Sequence, residues 1–462
     1  MGPYLASIVN LLFTIYNLIF IASYLSRMSS STILVNDNKT IRAWAFFDWA
    51  NSAYSLVIST AVFPIYFLAV APDSINLLGN TYTDSSIYSF VVSFSYLLVA
   101  ILSPILSGIA DYGGKRMWFL KLFTTMGAVG CAVLYFFESD QYLWLGVTAF
   151  GLGTIGYAGS LVFYNSYLPQ IASEDQYDSV SAKGYSYGYV GSVLLLIVIL
   201  AMVQKPDWFG ITAEGQGARI GFLLVGIWWI VFAQITFRKM PKDSVGKLES
   251  GIIGKGFREL RGTFKLVVKD KNIRRFLLSF LFFSAGVNTV IYVATIFAEQ
   301  EIGFKTAELI LLVLILQLVA VVGALFFAFV SNRLGNKMAL LIQIAIWMLI
   351  CVIAFFTQGK TVFYVLVGVV GLVLGGIQSL SRSSYTKLLD DDIDDLSSYY
   401  SFYDVLFKVS IVGGTFLFGF IEYVTKDIRY SVLSLGVLFL IGMLVLMGVN
   451  FGKDKKLIGS NV

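Results

Sequence analysis

The sequence predicts an all-α, polytopic membrane protein with twelve core spanning helices, and three observations predict it. First, 57% of the 462 residues are hydrophobic and only 13% are charged, whereas soluble domains carry about 25% charged residues. A soluble chain this apolar would lack the polar groups to cover its surface, and a bilayer removes that need. Second, continuous apolar runs of the length that crosses a bilayer, about 20 residues, recur from one end to the other. They do not alternate as spanning strands must, and open sheet edges are not tolerated in lipid. Third, Lys and Arg collect in alternate loops, the charge asymmetry of a chain with a fixed orientation.

In chain order, an apolar segment at 4–25 comes first. No Lys or Arg precedes it, which argues against a cleaved secretory signal, and Arg27, Lys39 and Arg42 follow it. It reads as an extra N-terminal helix or as sequence upstream of a start at Met28. The core spans, one to twelve, lie at 43–70, 85–110, 117–137, 142–168, 184–203, 218–237, 275–298, 307–330, 338–357, 361–386, 399–423 and 430–451. Most connections are short, as antiparallel neighbours need. The long one, 238–274, is basic and carries among others Arg238, Lys247, Arg258, Lys265 and Arg274. It divides the chain into an N-terminal extension (1–40), a six-helix bundle (41–237), the linker itself, and a second six-helix bundle with the tail (275–462). Within the linker, Phe257–Val268 has the pattern of an amphipathic helix on a membrane surface.

The other basic loops fall on the linker's side: Lys115 and Arg116, Arg333 and Lys337, Lys387, and the tail lysines 453, 455 and 456. The alternate loops carry Asp73 and Asp84, Glu138 and Asp140, Glu299 and Glu301. The positive-inside rule makes the N-terminus of the core, the central loop and the C-terminus cytoplasmic; in a prokaryote the membrane would be the plasma (inner) membrane.

Composition also excludes whole classes of chemistry. The chain has no histidine, and Cys131 and Cys351 stand singly inside apolar runs. No zinc site, haem ligand set, Ser-His-Asp triad or disulfide framework is expected, and so no metal, no cofactor and no enzyme. The net charge of +5 sits in loops and serves orientation, not nucleic-acid binding. The expected partners are membrane lipids and a small solute, and the chain is expected to act as a monomer.

Between spans two and three lies Gly108-Ile-Ala-Asp111-Tyr-Gly-Gly114-Lys115-Arg116. It makes a tight turn in which Asp111 can accept from free amides at a helix N-terminus, while Lys115 and Arg116 meet carboxylates or lipid phosphates. Between spans eight and nine, Ser331-Asn332-Arg333-Leu334-Gly335-Asn336-Lys337 is a weaker copy, with Asn332 in the place of Asp111. Ordinary turns on the basic side would also carry such residues. In span one, Asp48, Asn51, Ser52 and Ser55 share one helical face, and Tyr54 follows closely. A carboxylate inside an apolar span should face a bundle interior or a cavity; helix-to-helix hydrogen bonding is the plainer alternative. In span ten, Gln378 and Arg382 are one turn apart, though Arg382 near the helix end could simply snorkel. In span eleven, Asp404 and Lys408 are one turn apart and could neutralise each other.

The first loop resembles the signature loop of the major facilitator superfamily. The run Asp48-Trp-Ala-Asn-Ser-Ala-Tyr54, with Gly375-Gly-Ile-Gln378-Ser-Leu-Ser381-Arg382-Ser383 and Tyr399-Tyr-Ser-Phe-Tyr403-Asp404-Val-Leu-Phe-Lys408, resembles its vacuole-effluxer branch, whose fungal members are linked to autophagy and regarded as vacuolar amino-acid exporters. The resemblance covers about 41–452. It departs from the pattern at Ser401, usually Gly, and at Asp390–Asp395, usually a proline-containing turn. It implies two six-helix bundles around a central cavity lined by spans one, four, seven and ten, with alternating access. Asn165 and Tyr164 in span four, and Asn288 and Tyr292 in span seven, join the cavity candidates on that basis, and an amino acid becomes the expected solute. A coupling proton could use Asp48 or Asp404. The cytoplasmic gate is expected to have Asp111 capping span eleven and Arg116 or Lys115 paired with Asp404, with the Asn332 copy mattering less. A transport-inactive sensor on the same fold is the alternative, but the 238–274 loop is short for an output domain. Gly151-x-Gly153-x-x-Gly156 matches a dinucleotide fingerprint in letters only and is expected to be a helix-packing seam. With no nucleotide site, active transport would draw on an ion gradient.

Overall fold

A computed structural model describes residues 35–72, 74–77, 80–243, 252–304, 306–389 and 395–451. The apolar segment 4–25, the acidic stretch Asp390–Asp394 and the tail lysines lie outside the described residues.

Helices are started by side chains that satisfy the free amides of a first turn. Asp37 accepts from the Thr40 amide at 2.9 Å and opens span one; those Thr40 bonds, hydroxyl first, hold its carboxyl below the usual range. Asp270 accepts from Asn272 and Ile273 at the start of span seven. Asp427 accepts from Arg429 at the start of span twelve.

Span one is Asn38–Ala53, a π-helical stretch Tyr54–Ala61, and a further helix Phe63–Val70. The last piece is bent by 43° from the rest, at Val62 just before Pro64, which has no N–H to continue the ladder. A short hairpin follows, β1 Ser74–Leu77 pairing antiparallel with β2 Asn80–Thr83, where the sequence reading had only a loop. Spans two to six are Asp84–Gly113, Arg116–Val133, Leu143–Asn165, Tyr177–Gln204 and Gln216–Lys239. The linker holds a helix at Ile252–Lys269, and span seven is Lys271–Ile302. Spans eight and nine form one run of 51 residues, Thr306–Phe356, broken by non-helical backbone at Gly335. An unbroken helix of that length would reach about 76 Å, well over twice the thickness of a bilayer core, so it crosses twice. Spans ten to twelve are Lys360–Thr386, Leu396–Thr425 and Ile428–Met447.

The described residues therefore make the twelve-helix fold of two six-helix bundles. One core is built on Trp44, Phe63, Tyr164, Phe222 and Trp229, the other on Phe276, Phe280, Trp347, Tyr385 and Phe439. A small seam of Ala182, Ala324 and Ala328 joins the two, from spans five and eight; small side chains let the backbones approach. Large apolar residues such as Phe94 (64% exposed), Val365 (65%) and Phe416 (73%) face outward, as lipid contact requires.

The two ends of the molecule are held differently. At the acidic end, Arg219–Glu138 (2.8 Å) lies within the first bundle, and Lys360–Glu308 and Arg429–Glu301 (both 2.7 Å) within the second. At the basic end several bonds cross from one bundle to the other, among them those of Asp111 with Ser398 and of Asp178 with Lys387.

Candidate functional site

A cavity of about 210 Å³ lies between the bundles. The polar face of span one, Asp48, Asn51, Ser52 and Ser55, forms one wall, and Asn165, Tyr185 and Tyr189 extend it from spans four and five. The opposite wall is Asn288 of span seven, Gln317 of span eight, Gln378 and Arg382 of span ten, and Asp404 of span eleven. Tyr54 is not on it. Six residues past Asp48 puts it about 240° around a helix, and it packs inside the first bundle, its hydroxyl 2.7 Å from Thr154. Tyr164 is buried behind the wall, and the side chain of Tyr292 is not among those described.

The floor of the cavity is an ion pair between bundles. Arg382 Nη1 lies 3.1 Å from Asp48 Oδ2, with the side chains 3% and 7% exposed. Tyr164 donates to the same carboxylate oxygen at 2.8 Å. The guanidinium does not snorkel. It donates to the Ser181 hydroxyl (2.9 Å), the Ser181 carbonyl (2.8 Å) and Asn165 (3.4 Å), and lies 4.7 Å from the Trp44 ring and 4.3 Å from that of Tyr185. Aromatic faces and three oxygens thus replace water around a buried cation. Gly184 makes room for this: a Cβ there would sit 2.5 Å from Asp48 Oδ2 and 2.8 Å from Arg382 Nη2. One turn before Arg382, Gln378 accepts from Tyr189 at 2.5 Å, a further bond between bundles.

Below the floor, Asp111 accepts from the amides of Ser397 (3.3 Å) and Ser398 (2.7 Å), in the first turn of span eleven. The turn that presents it is closed by Lys115 N to Ala110 O at 2.8 Å, with Gly114 at φ +60, a backbone that favours glycine. Lys115 itself stands just ahead of the span-three helix. Gly108 belongs to the span-two helix and not to the turn. The expected pairing of Arg116 or Lys115 with Asp404 does not occur. Arg116 donates to Asp111 at 2.8 Å, and Asp404 is held by Lys408 of its own helix. Depth explains this, since Asp404 lies two turns inside span eleven, about 12 Å from its start, while Arg116 stays at the mouth.

The second loop also differs from expectation. Gly335 makes the turn at φ +81, but Asn332 is exposed. Ser331, Asn336 and Lys387 instead converge on Asp178, each at 2.7 Å. Asp178 is fully buried in the first turn of span five. The polarity is reversed: the first loop supplies an acid to the other bundle, and the second supplies donors to an acid of the other bundle. Asp178 was missed because an acid in a first helical turn is ordinary on dipole grounds; its signal was Lys387 at the same depth. Gln317 and the tyrosines 185 and 189 were also missed. Among the described residues no cluster of His, Cys, Asp and Glu could hold a metal ion. At the glycine run, a Cβ on Gly156 would lie 2.3 Å from Gly127 N, so it is a packing seam of spans three and four.

Comparison with known proteins agrees with this architecture. The chain is 30% identical to the "Uncharacterized MFS-type transporter YxiO" of Bacillus subtilis (strain 168), across 88% of this chain and 94% of that one. It is 25% identical to "Autophagy-related protein 22" of Kluyveromyces lactis, across 82% of each. In structure it resembles the major facilitator transporter FucP in the outward conformation, with TM-score 0.67, 14% identity, and 88% of this chain and 97% of that one covered. It equally resembles the proton:xylose symporter XylE, with TM-score 0.67, 15% identity, and 88% and 94% covered. These likenesses place the fold among transporters and not enzymes. Residues 36–457 match the family described as "Vacuole effluxer Atg22 like", and the chain belongs to that family of multi-pass major facilitator transporters.

Proposed function

We propose that the protein is a secondary active transporter that carries a small polar solute, an amino acid, by alternating access. The bundles 41–237 and 275–462 rock about the cavity, tethered by 238–274. The observation that carries the reading is the Asp48–Arg382 pair (3.1 Å). It ties the two bundles at the cavity floor, so the floor opens only when a buried, aromatic-flanked ion pair separates. Asp48, Asn51, Asn165, Asn288, Gln378 and Arg382 are the solute-facing groups in this reading, and Asp111 with Arg116 forms a latch. The amino-acid class rests on the likeness to the fungal effluxers. The basic end is cytoplasmic by the positive-inside rule, which makes this the outward-facing state, and a prokaryotic host would carry the chain in its inner membrane. Asp404 is the better seat for a coupling proton. Its partner Lys408 lies in the same helix, so its charge can change without breaking the tie between bundles.

The test is uptake of amino acids by proteoliposomes, with and without a pH gradient. Saturable uptake that Asp48→Asn abolishes supports the reading. Gradient-independent leakage, equal in wild type and variant, overturns it.

A further inference from the structure

We propose that Asn51 and Gln317 are the two ends of a clamp that the solute itself completes, drawing the acidic ends of the bundles together. The inference rests on the transport reading above and adds to it which groups grip the solute and why gripping closes the cavity.

Asn51 is 1% exposed, and its Nδ2 has no hydrogen-bond partner. Gln317 has a buried Oε1 that likewise has none. Both residues line the cavity, one from span one and the other from span eight, so they belong to opposite bundles. Four other polar residues of the walls are already engaged. Asp48 is held by Arg382 and Tyr164, Gln378 by Tyr189, Asn288 by the Ser284 carbonyl at 2.8 Å, and Asp404 by Lys408.

Buried polar groups without partners are rare in folded proteins because desolvation is then uncompensated. Here the two vacancies are complementary: an amide donor on one bundle and an amide acceptor on the other. A ligand that offers an acceptor to Asn51 and a donor to Gln317 fills both. A carboxylate, carbonyl or hydroxyl oxygen serves the first, and an ammonium, amide N–H or hydroxyl the second. The charged lining residues Asp48, Arg382 and Asp404 already stand in ion pairs, so the fitting solute carries both functions with no net charge.

A ligand shifts a conformational equilibrium only by binding one state better than the other. A solute bonded to both walls is held best when the walls are near, so it favours the closed acidic end. A solute that reaches one wall binds without closing anything.

The experiment uses the full chain with spin labels at Trp208→Cys and Phe356→Cys, exposed positions on the two bundles; the native Cys131 and Cys351 are buried. The probes are a mixture of net-uncharged amino acids, with glutamate and lysine as charged comparisons. Proteoliposome uptake is measured in parallel. In the parent protein the uncharged mixture should shorten the label distance, and glutamate and lysine should not. Asn51→Ala and Gln317→Leu should each weaken binding about tenfold and abolish the shortening. Gln317→Glu keeps an acceptor and should retain it, which separates loss of the bond from loss of the fold. If the parent transports the mixture but Gln317→Leu and Gln317→Glu both close like the parent, the clamp is wrong and the transport reading stands. If the parent takes up none of the probes, the reading and the clamp fall together.

Discussion

Asp48 of span one and Arg382 of span ten are 334 residues apart in sequence and form one buried ion pair at the cavity floor. Removing one partner of such a pair costs about 3–5 kcal/mol, because the other charge is left uncompensated. Asp48→Asn and Arg382→Gln should each lower the unfolding temperature in detergent, and the double variant should recover much of that loss. Uptake should stay abolished in all three. A double variant as unstable as the sum of the singles would mean the residues act independently.

Asp111→Ala removes the acceptor for the first amides of span eleven. A charge-assisted bond of this kind contributes about 1.5–3 kcal/mol, enough to change a two-state ratio by about tenfold or more. The variant should populate the state open at the basic end. Reactivity of a cysteine placed between the bundles there should rise, and unchanged reactivity would count against the latch.

Asp178→Asn should open the same end to a comparable degree, since three donors from the other bundle converge on that carboxylate. Asn332→Ala should leave reactivity at the parent level. Equal effects from the two would return the second loop to the role expected from sequence.

Gly184→Ala tests the space around the ion pair. Overpacking of a tight interior costs about 1–3 kcal/mol, and here the added carbon would meet Asp48 Oδ2 at 2.5 Å. Uptake should fall several-fold, while Gly254→Ala, at a position where a Cβ meets nothing within 4 Å, should change little.

Orientation is tested by an impermeant thiol reagent on intact cells. A cysteine at the exposed Arg333 should be protected and one at Trp208 should react; the reverse pattern would invert the topology.

The spans were legible because lipid imposes a long apolar helix at each crossing. The Asp48 face was legible because a carboxylate in such a helix has few places to go. Partner choice was not. Asp404 had three plausible cations in sequence, and only depth along span eleven selects Lys408. Gln317 sits in a uniformly apolar span, where one amide among leucines carries no periodic signal. Tyr54 was drawn in by proximity in sequence, although its angle around the helix points it away. The hairpin at 74–83 has strands of four residues, too short for alternation to stand out.

The π-helical stretch in span one has a consequence for length. Thr60 donates to the Ser55 carbonyl at 2.9 Å, five residues back, and both side chains line the cavity. In an α-helix residues five apart would diverge by about 140°; the wider turn brings them to the same side. One residue too many is thus stored in this helix. Removing one residue within Tyr54–Ala61 would let ordinary α geometry return while the helix beyond keeps roughly its present angle, so Tyr66 would keep its 2.6 Å bond to the Phe137 carbonyl. What would be lost is the shared side of Ser55 and Thr60 on the cavity wall. Adding one residue there would instead turn everything beyond by about 100°. This segment should therefore accept the loss of one residue far better than the gain of one.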